Sequence, residues 1–122
     1  MSAPIGPYRP IVRAGEWLVV SGQLGLAEGR LVDGGFQPQL LQALLNLATL
    51  LDTEGATLAD VVKTTVYLRS IDDYPAMNET YVAAFGGHLL PARAAIAVAG
   101  LPLDASVEID AWAYLPAPAP PL

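Results

Sequence analysis

Val61-Val62-Lys63-Thr64-Thr65-Val66-Tyr67-Leu68-Arg69 is the stretch that decides the fold class. It is rich in β-branched residues and alternates with a period of two, the repeat of a strand with one buried face. Val62, Thr64, Val66 and Leu68 are expected on one face, and Lys63, Thr65, Tyr67 and Arg69 on the other. The segments on either side follow another period. Leu40, Leu41, Leu44, Leu47, Ala48 and Leu51 recur three and four apart between Pro38 and Glu54, which predicts a helix, with Gly55 as its C-cap. Asp72-Asp73-Tyr74-Pro75 reads as a second helix start, with Asp capping and Pro in the first turn. Met77, Tyr81 and Phe85 form its buried stripe, and Gly86-Gly87 ends it.

Further out lie short apolar runs. Ile11-Val12-Arg13 and Trp17 to Ser21 predict a strand pair turning at Ala14-Gly15, and Leu26 to Val32 a small hairpin around Glu28-Gly29-Arg30. Ala92 to Val98 is a strand of small residues, and Val107 to Tyr114 the last strand, with Val107, Ile109, Ala111 and Ala113 on one face. The order β-β-hairpin-α-β-α-β-β makes a two-layer α+β domain over residues 1–115, a mixed sheet carrying two helices on one face. Residues 116–122, with Pro116, Pro118, Pro120 and Pro121, are expected to form an extended or flexible tail.

Composition bears on partners. The chain has 122 residues, 53% hydrophobic and 15% charged, with mean hydropathy +0.42. A small domain this apolar lacks the polar residues to cover itself, and no run is long enough for a membrane helix. A homo-oligomer formed through the open sheet face is expected. Net charge is −6, and Arg9, Arg13, Arg30, Lys63, Arg69 and Arg93 form no stripe, which disfavours nucleic acid as a partner. With no cysteine, disulfides, a thiol nucleophile and zinc-thiolate chemistry are excluded. His88, the single histidine, reads as a loop residue. No secretory signal is legible at the start, so a cytoplasmic location is expected.

Pro91-Ala92-Arg93 and Val107-Glu108-Ile109-Asp110 carry the chemical interest. Between Arg93 and Glu108 the only charged residue is Asp104. An arginine entering an apolar strand, with a carboxylate inside the next, suits a pocket for a small organic acid, because guanidinium grips carboxylate through two parallel hydrogen bonds. An Arg–Glu structural ion pair and a snorkelling surface arginine are the other readings of the same residues.

Together the segments resemble the Rid family of reactive-intermediate deaminases, also called the YjgF or perchloric-acid-soluble-protein family. The resemblance lies in Ile5-Gly6-Pro7-Tyr8, Val20-Ser21-Gly22-Gln23, Gln42 to Leu47, Asp60 to Leu68, Met77-Asn78-Glu79-Thr80-Tyr81, Pro91-Ala92-Arg93 and Val107-Glu108-Ile109, running from about Ile5 to Ala113. It implies a chorismate-mutase-like fold and a homotrimer with sites at the subunit clefts. It also implies hydrolysis of 2-imino acids (2-iminobutanoate and 2-iminopropanoate type, tautomers of enamines) to 2-oxo acids and ammonia, with no cofactor or metal. By the same resemblance Arg93 clamps the substrate carboxylate, Glu108 lies near the reacting carbon, and Tyr8, Asn78 and Ser21 line the cleft. Arg9-Pro10, Leu24-Gly25, Ala94 and Ala95 depart from the common pattern and bear on substrate range. Two other functions stand beside the deaminase: a metabolite-binding or chaperone-like trimer without turnover, and the ribonuclease or translation inhibitor of the family's older labels.

Overall fold

The computed structural model describes residues 4–117. The central strand β5 (Val61–Leu68) pairs antiparallel with β7 (Val107–Tyr114) and parallel with β6 (Ala92–Ala97). β7 continues to β2 (Trp17–Gln23) and β2 to β1 (Ile11–Ala14), giving the five-stranded order β1-β2-β7-β5-β6. A separate hairpin of β3 (Leu26–Ala27) and β4 (Arg30–Leu31) turns through Glu28 and Gly29, both at positive φ. Helices α1 (Phe36–Asp52) and α2 (Tyr74–Phe85) share one core with the inward sheet residues. This is the expected α+β architecture, a mixed sheet with two helices.

Alternation fixes which face of each strand is dry. Val107, Ile109, Ala111 and Ala113 are fully buried, as are Val66 and Leu68 opposite them. Met77, Tyr81 and Phe85 enter the same core from α2, where Tyr81 and Phe85 stack with ring centroids 4.7 Å apart. Across the sheet from the helices lie Val12, Trp17, Val19, Ser21, Trp112, Tyr67, Ala94 and Ile96, with Ile96 and Trp112 exposed.

Three expectations need correction. Val62 is exposed, because the β5–β7 register shifts between Val61 and Lys63 and Val61 takes the inward position. Leu41 is 50% exposed. α1 is rotated so that Ala43 and Leu50 face the sheet with Leu40, Leu44, Leu47 and Leu51. No Asp side chain caps α2; Ser70 does the local work, its hydroxyl accepting from the Asp72 N–H in the 3-10 turn that leads into the helix. Gly55 does end α1, at φ +79, with the Ala56 N–H returning to the Leu51 carbonyl. Of the expected tail, residues 118–122 lie outside the described residues.

Polar residues of α1 fasten what surrounds the sheet. Asn46 donates to the Leu24 and Leu26 carbonyls, and the nearly buried Gln39 accepts from the Ser106 N–H just before β7. A Cβ on Gly25 would lie 2.5 Å from the Gln39 carbonyl oxygen, so only glycine lets the hairpin approach the helix this closely. Among the described residues no helix is long and apolar enough to cross a membrane.

Candidate active site

Arg93 sits opposite Thr64 in the parallel β5–β6 pair and therefore points to the helix side of the sheet. There α2 presents Tyr74, Asn78 and Tyr81 at helical spacing, on one face. The Arg93 Nη2 donates to Asn78 Oδ1 at 2.8 Å and to the Tyr74 hydroxyl at 3.2 Å. The Arg93 Cζ lies 4.9 Å from the centre of the Tyr81 ring and 5.5 Å from that of Tyr74. Tyr81 is itself anchored, its hydroxyl 2.7 Å from that of the buried Thr64. Burial raises the Tyr81 phenol above its ordinary range, partly offset by the Thr64 hydrogen bond and the Arg93 charge. One edge of the guanidinium is thus fixed by Asn78 and Tyr74. Among the described residues, none accepts from Nη1 or Nε, so both keep N–H donors open to a ligand.

Glu108 projects from the other face. It is the cross-strand partner of Tyr67 and neighbours Ile109, whose side chain points into the core. It lines a cleft of about 460 Å³ with Ile5, Gly6, Tyr8, Ser21, Gly22 and Pro102. Gly22 makes room for it: a Cβ there would fall 2.5 Å from Glu108 Oε2. Burial, and then the negative charge of Asp110, raise the Glu108 carboxyl above the usual range. The shift is toward the protonated form, the direction that suits a group exchanging protons with a substrate. Asp110 is held by the Tyr67 hydroxyl, which donates to it at 2.9 Å. This bond, reinforced by burial, pushes Tyr67 up as well. Ser21 fastens the segment that carries Tyr8, its hydroxyl donating to the Arg9 carbonyl at 2.8 Å and its N–H to that of Pro10.

The five residues singled out from the sequence therefore form two groups. Arg93 and Asn78 lie together on the helix side at β6; Tyr8, Ser21 and Glu108 lie together on the open face at β2 and β7. Tyr74, Gly22, Pro102 and Asp110 join these groups without having been singled out. Tyr74 had a signal, four residues before Asn78 on the same helix face. Gly22 lay in the Val20-Ser21-Gly22-Gln23 segment; Pro102 had no signal, because its place depends on pairings distant in sequence. His88 is an exposed turn residue after α2. Among the described residues no three metal-ligating side chains cluster.

Similarity to known proteins spans nearly the whole chain. The family model described as Endoribonuclease L-PSP matches residues 1–115. A RutC family protein of Pyrococcus horikoshii is 42% identical over 113 residues, covering 91% of this chain and 89% of its own. The 2-iminobutanoate/2-iminopropanoate deaminase of Mus musculus is 45% identical over 113 residues, 91% of this chain and 83% of the relative. The crystal structure of RidA from the Antarctic bacterium Psychrobacter sp. PAMC 21119 superposes with a TM-score of 0.89 at 36% identity, covering 93% of this chain and 92% of that one. By sequence and by fold, the chain belongs to the Endoribonuclease L-PSP family, the Rid family that its motifs resemble.

Proposed function

We propose that the protein hydrolyses small 2-imino acids to 2-oxo acids and ammonia, in sites that each join the Arg93 group of one subunit to the Glu108 group of another. The observation that carries this reading is the half-tethered guanidinium. Asn78 and Tyr74 hold one edge of Arg93, and two tyrosine rings support it. Among the described residues, Nη1 and Nε keep N–H donors free for a carboxylate oxygen. The relatives named as 2-iminobutanoate/2-iminopropanoate deaminases act on substrates that bear one.

The chemistry needs little more. A carboxylate held by the guanidinium fixes the neighbouring C=N carbon, which is electrophilic once its nitrogen is protonated. Water adds to that carbon and the C–N bond of the tetrahedral adduct breaks. A carboxylate with a raised pKa takes a proton from the adding water and hands it to the departing nitrogen, and the hydroxyl proton of the adduct is released as the carbonyl forms. Glu108 in its cleft fits this role, and Tyr8 and Pro102 wall the same space. Arg93 and Glu108 face away from each other across a single sheet, so a complete site needs two copies. The exposed Ile96 and Trp112 and the small Ala92 and Ala94 on the open face supply an apolar surface for that contact. A homotrimer closes such head-to-tail contacts in a ring.

The test is imine trapping. An amino-acid oxidase generates imines from several amino acids, and semicarbazide captures what survives. Wild type is expected to deplete the trapped imine and Arg93→Ala to lose the effect, while both sediment as the same oligomer. Equal trapped imine with and without wild type, across all amino acids, would overturn the reading.

A further inference from the structure

Leu103 and Asp104 both adopt the left-handed backbone conformation, at φ 58 and φ 57. Neither is glycine, and two such residues in succession are strained unless the surroundings hold them. The Leu103 side chain gives no reason for it, being 56% exposed. Besides the turn's own backbone bonds, from the Asp104 N–H to the Leu101 carbonyl and from the Ala105 N–H to the Pro102 carbonyl, the side-chain contact that holds it is on Asp104. Arg69, just past the end of β5, places one nitrogen, Nη1, 2.8 Å from the Asp104 carboxylate and 3.1 Å from the carbonyl of the same residue. Its own N–H donates to the Ser106 carbonyl. On one side of this turn is Pro102, a wall of the cleft that holds Glu108. On the other is the fully buried Ala105, packed with Leu24 and Leu26. Ala105 is anchored in its apolar cluster and Pro102 is exposed, so a relaxed backbone at 103 and 104 would redirect the chain on the Pro102 side.

We infer that Arg69 is a positioning residue for the cleft: by gripping both the carbonyl and the carboxylate of Asp104 it holds the strained Leu103–Asp104 turn, and the turn sets Pro102 against the substrate space. The inference rests on the deaminase reading for its kinetic consequence, though not for the conformational one. An ion pair this exposed adds little to global stability. Its effect is local order in a wall that touches substrate, and this appears in substrate binding before it appears in the chemical step.

The experiment compares wild type, Arg69→Ala and the double variant Arg69→Ala/Leu103→Gly by imine kinetics and by amide hydrogen exchange. For Arg69→Ala, KM is expected to rise about fivefold with kcat within about twofold, the pattern of lost binding and not of lost chemistry. Exchange at Leu103 to Ser106 should quicken about tenfold while β7 stays protected. Glycine takes the left-handed conformation freely, so Leu103→Gly in the Arg69→Ala background should bring KM at least halfway back. Unchanged KM and exchange in Arg69→Ala would overturn the inference. So would a uniform rise in exchange along the chain that Leu103→Gly does not relieve. If wild type turns over no imine, the deaminase reading fails, and the exchange at residues 103–106 with its rescue by Leu103→Gly decides the positioning role alone.

Discussion

Replacing Thr64 by Val removes the only partner, among the described residues, of a buried phenol. The Tyr81 hydroxyl lies 2.7 Å from Thr64 Oγ1, Thr64 is 0% exposed and Tyr81 2%. A buried polar group left without a partner costs about 1–3 kcal/mol. Tyr81→Phe incurs a cost of the same kind by stranding the threonine hydroxyl. The double variant Thr64→Val/Tyr81→Phe strands nothing, keeps nearly the same volumes, and should cost about 1 kcal/mol or less. The two single costs therefore exceed that of the pair, an interaction of about 1–3 kcal/mol or more in a double-mutant cycle. Guanidinium unfolding followed by tryptophan fluorescence, at one fixed protein concentration, measures all four proteins. Single costs that simply add in the double variant would refute the reasoning. The same series separates anchor from platform. Tyr81→Phe keeps the ring beneath Arg93 and should keep most of the imine turnover. Tyr81→Leu removes a cation–π contact worth about 0.5–2 kcal/mol and should weaken binding of 2-oxo acids severalfold.

Two more outcomes follow from the geometry around Glu108. Gly22→Ala places a Cβ 2.5 Å from Glu108 Oε2; the carboxylate can swing aside, so stability should change by less than about 0.5 kcal/mol. Turnover should nevertheless fall at least about tenfold, and equal kcat in the two proteins would refute the placement. Glu108 titrates higher in the folded protein than in the unfolded chain, because of burial and the Asp110 charge. The folded state therefore holds its proton more tightly, so this contribution to stability is complete below the unfolded pKa and is lost as pH rises through the folded one. In an Arg93→Ala background, where no neighbouring guanidinium offsets the shift, Glu108→Gln should gain in melting temperature on its parent as pH rises from about 4 to 7. A parent that gains on the variant over that range would contradict the assignment.

Most of the fold was legible because each element follows its own local rule. The period-two pattern of Val107, Ile109, Ala111 and Ala113 and the four-residue spacing of Met77, Tyr81 and Phe85 needed no knowledge of the rest of the chain. The misses came where non-local pairing overrules the pattern. Val62 fits the alternation, but a bulge against β7 turns it outward. Leu41 fits the helix stripe, but Ala43 and Leu50 are buried in its place, while Asn46 reaches the Leu24 carbonyl and Gln39 the Ser106 N–H. The candidate site divides the same way. Arg93 and Glu108 stand out as charges in apolar strands. That they occupy opposite faces depends on the pairing of Arg93 with Thr64 and of Glu108 with Tyr67, which no local spacing encodes.

That placement has a consequence for how defects would be inherited. If every working site borrows its arginine from one chain and its glutamate from the next, a chain lacking Arg93 and a chain lacking Glu108 are each inert alone yet carry complementary halves. Co-expressed in equal amounts and assembled at random into rings, they would rebuild about one site in four with both groups intact. Two null alleles would thus restore each other in a diploid or a co-transformed cell.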